Sequence, residues 1–233
     1  MSTYVLVHGV WHGSWCWDRI VPLLEEKGHR VEAHDLPGHG RDTTPVSEVS
    51  TAAYVDSVCR ILDAQSAPVI LVGHSLAGLV ISQAAEYRPH KIKTLVYIAA
   101  LLLHNGESPL NVPDTDSLLG PNMIDAEDGS LTIRDDVIRE AWYSDCSDED
   151  AAWAQSLLVP QNPATFTTPI NITEENFGRI PRVYIECLLD KALSPWVQKK
   201  MYTETPCRVI SMNTNHSPFL SAPKEFVEHL ISL

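Results

Sequence analysis

The stretch Val69-Ile70-Leu71-Val72-Gly73-His74-Ser75-Leu76-Ala77-Gly78 constrains this chain's fold more than any other. An uninterrupted apolar run of this length suits a strand buried on both faces. A serine among small residues follows at once. Residues Ala77 to Arg88 then carry helical spacing, with Pro89 just past the end. A strand, a sharp turn carrying serine and a helix make the layout of a nucleophile elbow, which holds the hydroxyl exposed on a tight turn. The full pattern is G-x-S-x-G, and Ala77 stands in place of the last glycine. Alanine is small enough for a turn that brings residues 73 and 77 close.

The same alternation runs through much of the chain. Tyr4 to His8, Arg30 to His34, Thr94 to Ala99, Arg182 to Cys187 and Cys207 to Met212 read as further strands. Ser14 to Lys27, Thr51 to Ala64, Pro195 to Tyr202 and Pro223 to Leu233 read as helices, each with one apolar face. Short apolar strands between helices imply an α/β fold: a mostly parallel sheet with helices on both faces. From His104 to Gly178 the rhythm stops. That stretch holds about half of the chain's 30 acidic residues, along with Trp142, Trp153, Leu157 and Phe166. A structureless loop of this length does not suit a compact domain. Residues 104–178 are therefore expected to form a helical cap inserted into a core of residues 1–103 and 179–233.

Composition narrows the partners. With 233 residues, the chain is long enough for one α/β domain with a full core. A net charge of -13 argues against nucleic acid or an anionic membrane as partner. No apolar stretch approaches the ~20 residues of a membrane span. Met1 to His8 lacks the basic and long apolar regions of a signal peptide. Cys16, Cys59, Cys146, Cys187 and Cys207 are odd in number and scattered, as expected of reduced thiols in a cytoplasmic protein. No metal site is expected, because His34, Asp35 and His39 match no ligand spacing, and no glycine-rich phosphate loop is present.

A serine hydroxyl is a weak nucleophile and needs a positioned base, itself oriented by a carboxylate. Of ten histidines, only His216 follows a late strand on a loop. Asp190 lies three residues past the strand ending at Cys187. The order Ser75, Asp190, His216 is the order found when such groups sit on loops at one edge of a parallel sheet. Oxyanion donors are expected from the backbone N–H groups of Leu76, after the serine, and Val10, after the first strand. Trp11, His12, Trp142, Trp153, Leu157 and Phe166 are candidates for an apolar substrate pocket.

Together these residues resemble the α/β-hydrolase superfamily, and within it the plant methylesterase and hydroxynitrile lyase group with its bacterial esterase relatives. The resemblance rests on Val5-Leu6-Val7-His8-Gly9, His12-Gly13-Ser14-Trp15, Val72-Gly73-His74-Ser75-Leu76, Arg182-Val183-Tyr184-Ile185, Asp190-Lys191 and Asn215-His216. It implies an α/β-hydrolase fold without a cofactor, with Ser75 as nucleophile, Asp190 as orienting acid and His216 as base. Lyases of the group carry threonine at the place of Gly9 and lysine at the place of Ser217. Both departures favour ester hydrolysis; the expected substrate is a small to medium hydrophobic carboxylic ester and the expected state a monomer or homodimer. A lyase cutting a C–C or C–CN bond and a slow-turnover ligand receptor are the alternatives.

Overall fold

Six parallel strands form the centre of the protein, and their order explains how residues far apart in sequence meet. The computed structural model describes residues 1–233. In chain order the first half of the core comprises β1 (Thr3–Val7), α1 (Ile20–Glu26), β2 (Arg30–Ala33), α2 (Thr51–Asp63), β3 (Val69–His74), α3 (Ala77–Tyr87) and β4 (Ile92–Ile98). The segment after β4 holds a hairpin of β5 (Met123–Asp125) and β6 (Leu131–Ile133), then α4 (Asp135–Trp142), α5 (Asp148–Ser156) and α6 (Ala164–Thr167). The core resumes with β7 (Arg182–Cys187), α7 (Pro195–Glu204), β8 (Arg208–Met212), α8 (Pro218–Ser221) and α9 (Pro223–Ile231). The main sheet runs β2-β1-β3-β4-β7-β8, parallel throughout, as the apolar strands predict.

Every residue of β3 is buried, which is why its sequence does not alternate. Along the strand ends, Val7 pairs with Gly73, His74 with Ile98, Ile98 with Ile185, and Cys187 with Met212. This register brings the carboxyl ends of β1, β3, β7 and β8 to one edge. The loops carrying Val10, Ser75, Asp190 and His216 leave from that edge.

Two elements differ from the sequence expectation. The helix expected over Ser14 to Lys27 is a 3₁₀ turn at Ser14–Trp17 followed by α1 from Ile20. Pro22 has no N–H to give an earlier turn and is tolerated only in a helix's first turn. The segment expected to be a helical cap also contains an antiparallel hairpin, Met123–Asp125 with Leu131–Ile133. Its turn ends at Gly129, with φ 79°. Asp128-Gly129 between short apolar runs is a hairpin signal, easily passed over because each strand has only three residues. No helix is long and apolar enough to cross a membrane.

Candidate active site

Ser75 sits between β3 and α3 with φ 56°, a left-handed conformation uncommon for a residue with a side chain. Three backbone bonds hold it: Ser75 N–H donates to the Ile98 carbonyl (3.1 Å), and the Ser75 carbonyl accepts from Leu101 N–H (3.0 Å) and Gly78 N–H (3.1 Å). The glycines around it are set by close approach. A Cβ on Gly73 would lie 2.9 Å from Ile81 Cδ1, and one on Gly78 would lie 2.2 Å from the Leu101 carbonyl. Ala77 fits without such a conflict and is fully buried. The tight packing of the elbow thus falls on residues 73 and 78.

His216 and Asp190 meet from the loops after β8 and β7. His216 Nδ1–H donates to Asp190 Oδ2 at 2.7 Å, with both side chains buried. The carboxylate also accepts from Ala192 N–H (2.8 Å), Leu193 N–H (2.9 Å) and Gln198 Nε2 (2.9 Å). Donors converging in this way offset the cost of burying its charge. His216 Nε2 is buried and bonds to no protein group, so it is the nitrogen free to take a proton. His74 packs beside it, ring centroids 4.5 Å apart, and donates from Nε2 to the His216 carbonyl at 2.9 Å. Burial holds the His74 pKa well below the ordinary value, so its ring is neutral.

The loop after β1 is held in a strained shape. Trp11 has φ 57°, unusual for a bulky residue. Its indole N–H donates to the Leu131 carbonyl and its own carbonyl accepts from Val159 N–H, both at 2.9 Å. His12 Nδ1–H donates to the Val10 carbonyl and Nε2 accepts from the Tyr143 hydroxyl, both at 2.7 Å. Burial lowers the His12 pKa to about 3. The backbone N–H groups of Val10 and Leu76 are taken up by no other protein group, though both residues are buried. Orphaned buried N–H groups are rare. These two residues line the same cavity as Ser75.

That cavity measures about 210 Å³ and is mainly apolar. Leu101, Phe166, Ala192 and Leu193 form part of its wall, Pro109, Leu110, Val112 and Leu119 reach in from the strap between β4 and β5, and Met123 from the start of β5. Its polar lining beyond Ser75 is engaged elsewhere. Asp114 accepts from Ser194 N–H at 2.7 Å, and Ser117 Oγ donates to the Ala192 carbonyl at 2.7 Å. No lysine or arginine lines it. No group of three or more His, Cys, Asp or Glu side chains is arranged to hold a metal ion.

Of the residues proposed from sequence for a substrate pocket, the structure brings only Phe166 to this cavity. Trp142 is buried against Trp11 and His12, with ring centroids 5.4 and 5.8 Å away. Trp11 borders a separate depression with Ile133, Ile138 and Leu158. Trp153 and Leu157 border another beside Trp15 and Asp35. The apolar sides of α4 and α5 pack onto the loop after β1, not over the serine. The strap residues that do line the cavity were missed. Their one sequence signal is the apolar run Pro109-Leu110 and Val112 inside an acidic segment.

Residues 4–229 match the alpha/beta hydrolase family. The chain is 29% identical to methylesterase 9 of Arabidopsis thaliana, over 100% of this chain and 98% of that protein. It is 33% identical to a pyrethroid hydrolase of Sphingobium wenxiniae, over 98% of this chain and 86% of that protein. The crystal structure of a pyrethroid hydrolase from Sphingobium faniae JZ-2 superposes with a TM-score of 0.89 at 31% identity, covering 99% of this chain and 96% of that one.

Proposed function

Because this chain belongs to the alpha/beta hydrolase family, in a plant methylesterase-like group with bacterial esterase relatives, we propose that it is a serine carboxylesterase. Its substrate is a small to medium, uncharged hydrophobic ester. The observation that carries this reading is the convergence of Ser75 with two unsatisfied buried N–H groups, Val10 and Leu76, on one apolar cavity. Such donors are aimed where negative charge develops, which is the largest single contribution in many acyl transfers.

In this mechanism Ser75 Oγ attacks the ester carbonyl carbon and passes its proton to His216 Nε2. The carbonyl oxygen becomes an oxyanion held by the N–H groups of Val10 and Leu76. Asp190 fixes the Nδ1–H tautomer of His216 and stabilises the imidazolium. Collapse of the intermediate breaks the bond to the alcohol oxygen, which takes the proton from His216. Water then attacks the acyl-enzyme with His216 as base. The carboxylic acid leaves and Ser75 regains its proton.

An apolar cavity without a cation favours this reading over the lyase alternative, whose leaving cyanide needs a positive neighbour. The five free cysteines suit the reducing cytoplasm expected from the sequence. The test is turnover of short-chain aryl esters by wild type and Ser75→Ala, with a loss of about 10⁶-fold in kcat expected. Activity surviving in Ser75→Ala refutes the mechanism. Cyanide release from mandelonitrile without ester hydrolysis establishes the lyase. A ligand-induced rise in Tm with neither activity establishes the receptor.

A further inference from the structure

The turn that follows α4 in the inserted segment reaches the loop of the proposed base, and the contact runs through one buried side chain, Asn215. Asn215 is fully buried and its amide is used in both directions. Its Oδ1 accepts from His216 N–H at 2.8 Å and from Lys191 N–H at 3.2 Å. It thereby spans the two loops that must hold His216 Nδ1 and Asp190 Oδ2 at 2.7 Å. Its Nδ2 donates to Ser144 Oγ at 2.7 Å and to the Glu140 carbonyl at 3.1 Å. Its own backbone N–H donates to Asp145 Oδ2 at 2.8 Å. An ion pair of Lys191 with Glu140 ties the acid loop to α4 itself.

We propose that Ser144 and Asp145 are positioning residues for His216, holding through Asn215 the loop on which the base is carried. Neither touches the cavity beside Ser75. Both are exposed, yet their oxygens are spent on a buried partner next to the base. An asparagine amide with all its partners satisfied has one orientation. Without Ser144 Oγ the amide keeps only its longer far-side bond, to the Glu140 carbonyl, and without the Asp145 carboxylate the Asn215 backbone N–H has no acceptor, which loosens the His216 and Lys191 N–H groups that Asn215 fixes. A displacement of about 1 Å among reacting groups can cost about 10²-fold in rate, so a partial loosening is expected near tenfold.

This inference rests on the serine hydrolase reading, and its test includes one readout that does not need turnover. The pair Ser144→Ala with Asp145→Ala removes two exposed side chains and two acceptors of Asn215, so the fold should persist with a fall in Tm of no more than roughly 10 °C. Its kcat on a short-chain aryl ester should fall about tenfold or more while KM stays within about threefold. A downfield proton resonance is expected for His216 Nδ1–H in wild type, and in the double variant it should broaden or vanish. Asp145→Asn keeps an oxygen for the Asn215 N–H and loses the charge, so it should restore kcat to near wild type. A double variant with kcat within twofold of wild type and an unchanged resonance overturns the proposal. So does an Asp145→Asn variant as impaired as the double variant, since charge would then be the cause. If wild type hydrolyses no ester, the resonance still decides: unchanged in the double variant it refutes the positioning role, and lost there it supports it.

Discussion

Gly9→Ala tests how closely the loop after β1 must approach Ser75, the proposed nucleophile. A Cβ at residue 9 would lie 2.8 Å from Ser75 Cβ, 3.0 Å from His74 Nδ1 and 3.1 Å from the His74 carbonyl. Carbon atoms sit at about 3.5–4.0 Å in good contact, so the two loops must part by roughly 0.7–1.2 Å. Neither yields easily. Ser75 is pinned to Ile98 and Leu101 by backbone bonds, and the residues after Gly9 are pinned through Trp11 and His12. Overpacking of this kind costs about 1–3 kcal/mol, a fall in Tm of roughly 3–10 °C for a domain of this size. The movement separates Ser75 from the Val10 N–H, so kcat should drop about 10²-fold. Steady-state kinetics on p-nitrophenyl butyrate and a thermal melt measure both effects. Gly120→Ala is the control: it adds a methyl at a residue lining the cavity beside Ser75, with nothing within 4 Å, and should stay near wild type in Tm. A Gly9→Ala enzyme with kcat within threefold and Tm within a degree of wild type would falsify the steric argument.

Two further outcomes follow from buried histidines. His8 and His12 have pKa values lowered from 6.5 to about 3, mainly by burial, so the unfolded chain binds more protons below pH 6.5. Their stabilising effect is complete above that pH and is lost as the pH falls toward 3. Together they should remove about 4 kcal/mol of stability between pH 7 and pH 5, readable from urea melts; a stability that is flat or rises on acidification contradicts the assignment. Tyr143→Phe leaves His12 Nε2 without its donor at a cost of about 1–3 kcal/mol. It should lower kcat about tenfold through the Val10 peptide while preserving KM, and equal changes in both constants would point instead to a role in substrate binding.

How far the site can be read in sequence depends on how local its determinants are. Ser75 is announced by β3 and α3 on either side of it, within about a dozen residues. Asp190 and His216 each follow directly from a strand end, so the register of a parallel sheet brings them to the edge where Ser75 lies. Nothing comparable places the cap aromatics. Trp142 and Trp153 carry the same apolar signal whether they face the serine or the loop after β1. What decides is contact across the chain, such as Trp11 with Leu131 or Tyr143 with His12, 120 and 131 residues apart. The short hairpin and the strap offer even less, since their strands and 3₁₀ turns are too brief for periodicity to show.

The inserted segment therefore does two jobs with different parts. The strap between β4 and β5 supplies cavity side chains, and α4 with its following turn holds the loops of the chemistry. The separation is incomplete at one place. Leu118 N–H donates to the Lys191 carbonyl at 2.8 Å, Ser117 Oγ to the Ala192 carbonyl at 2.7 Å, and Ser194 N–H to Asp114 at 2.7 Å. Residues 191 to 194 are also the stretch whose N–H groups at Ala192 and Leu193 hold Asp190. A change in Leu110, Val112 or Met123 alters the shape presented to substrate and leaves this seam alone. A change at Asp114 or Ser117 reaches the carboxylate that orients His216. Asp114 and Ser117 line the cavity and bond the acid loop at once, so a change there is expected to alter substrate preference and turnover together, whereas a change in Leu110 or Val112 should alter substrate preference alone.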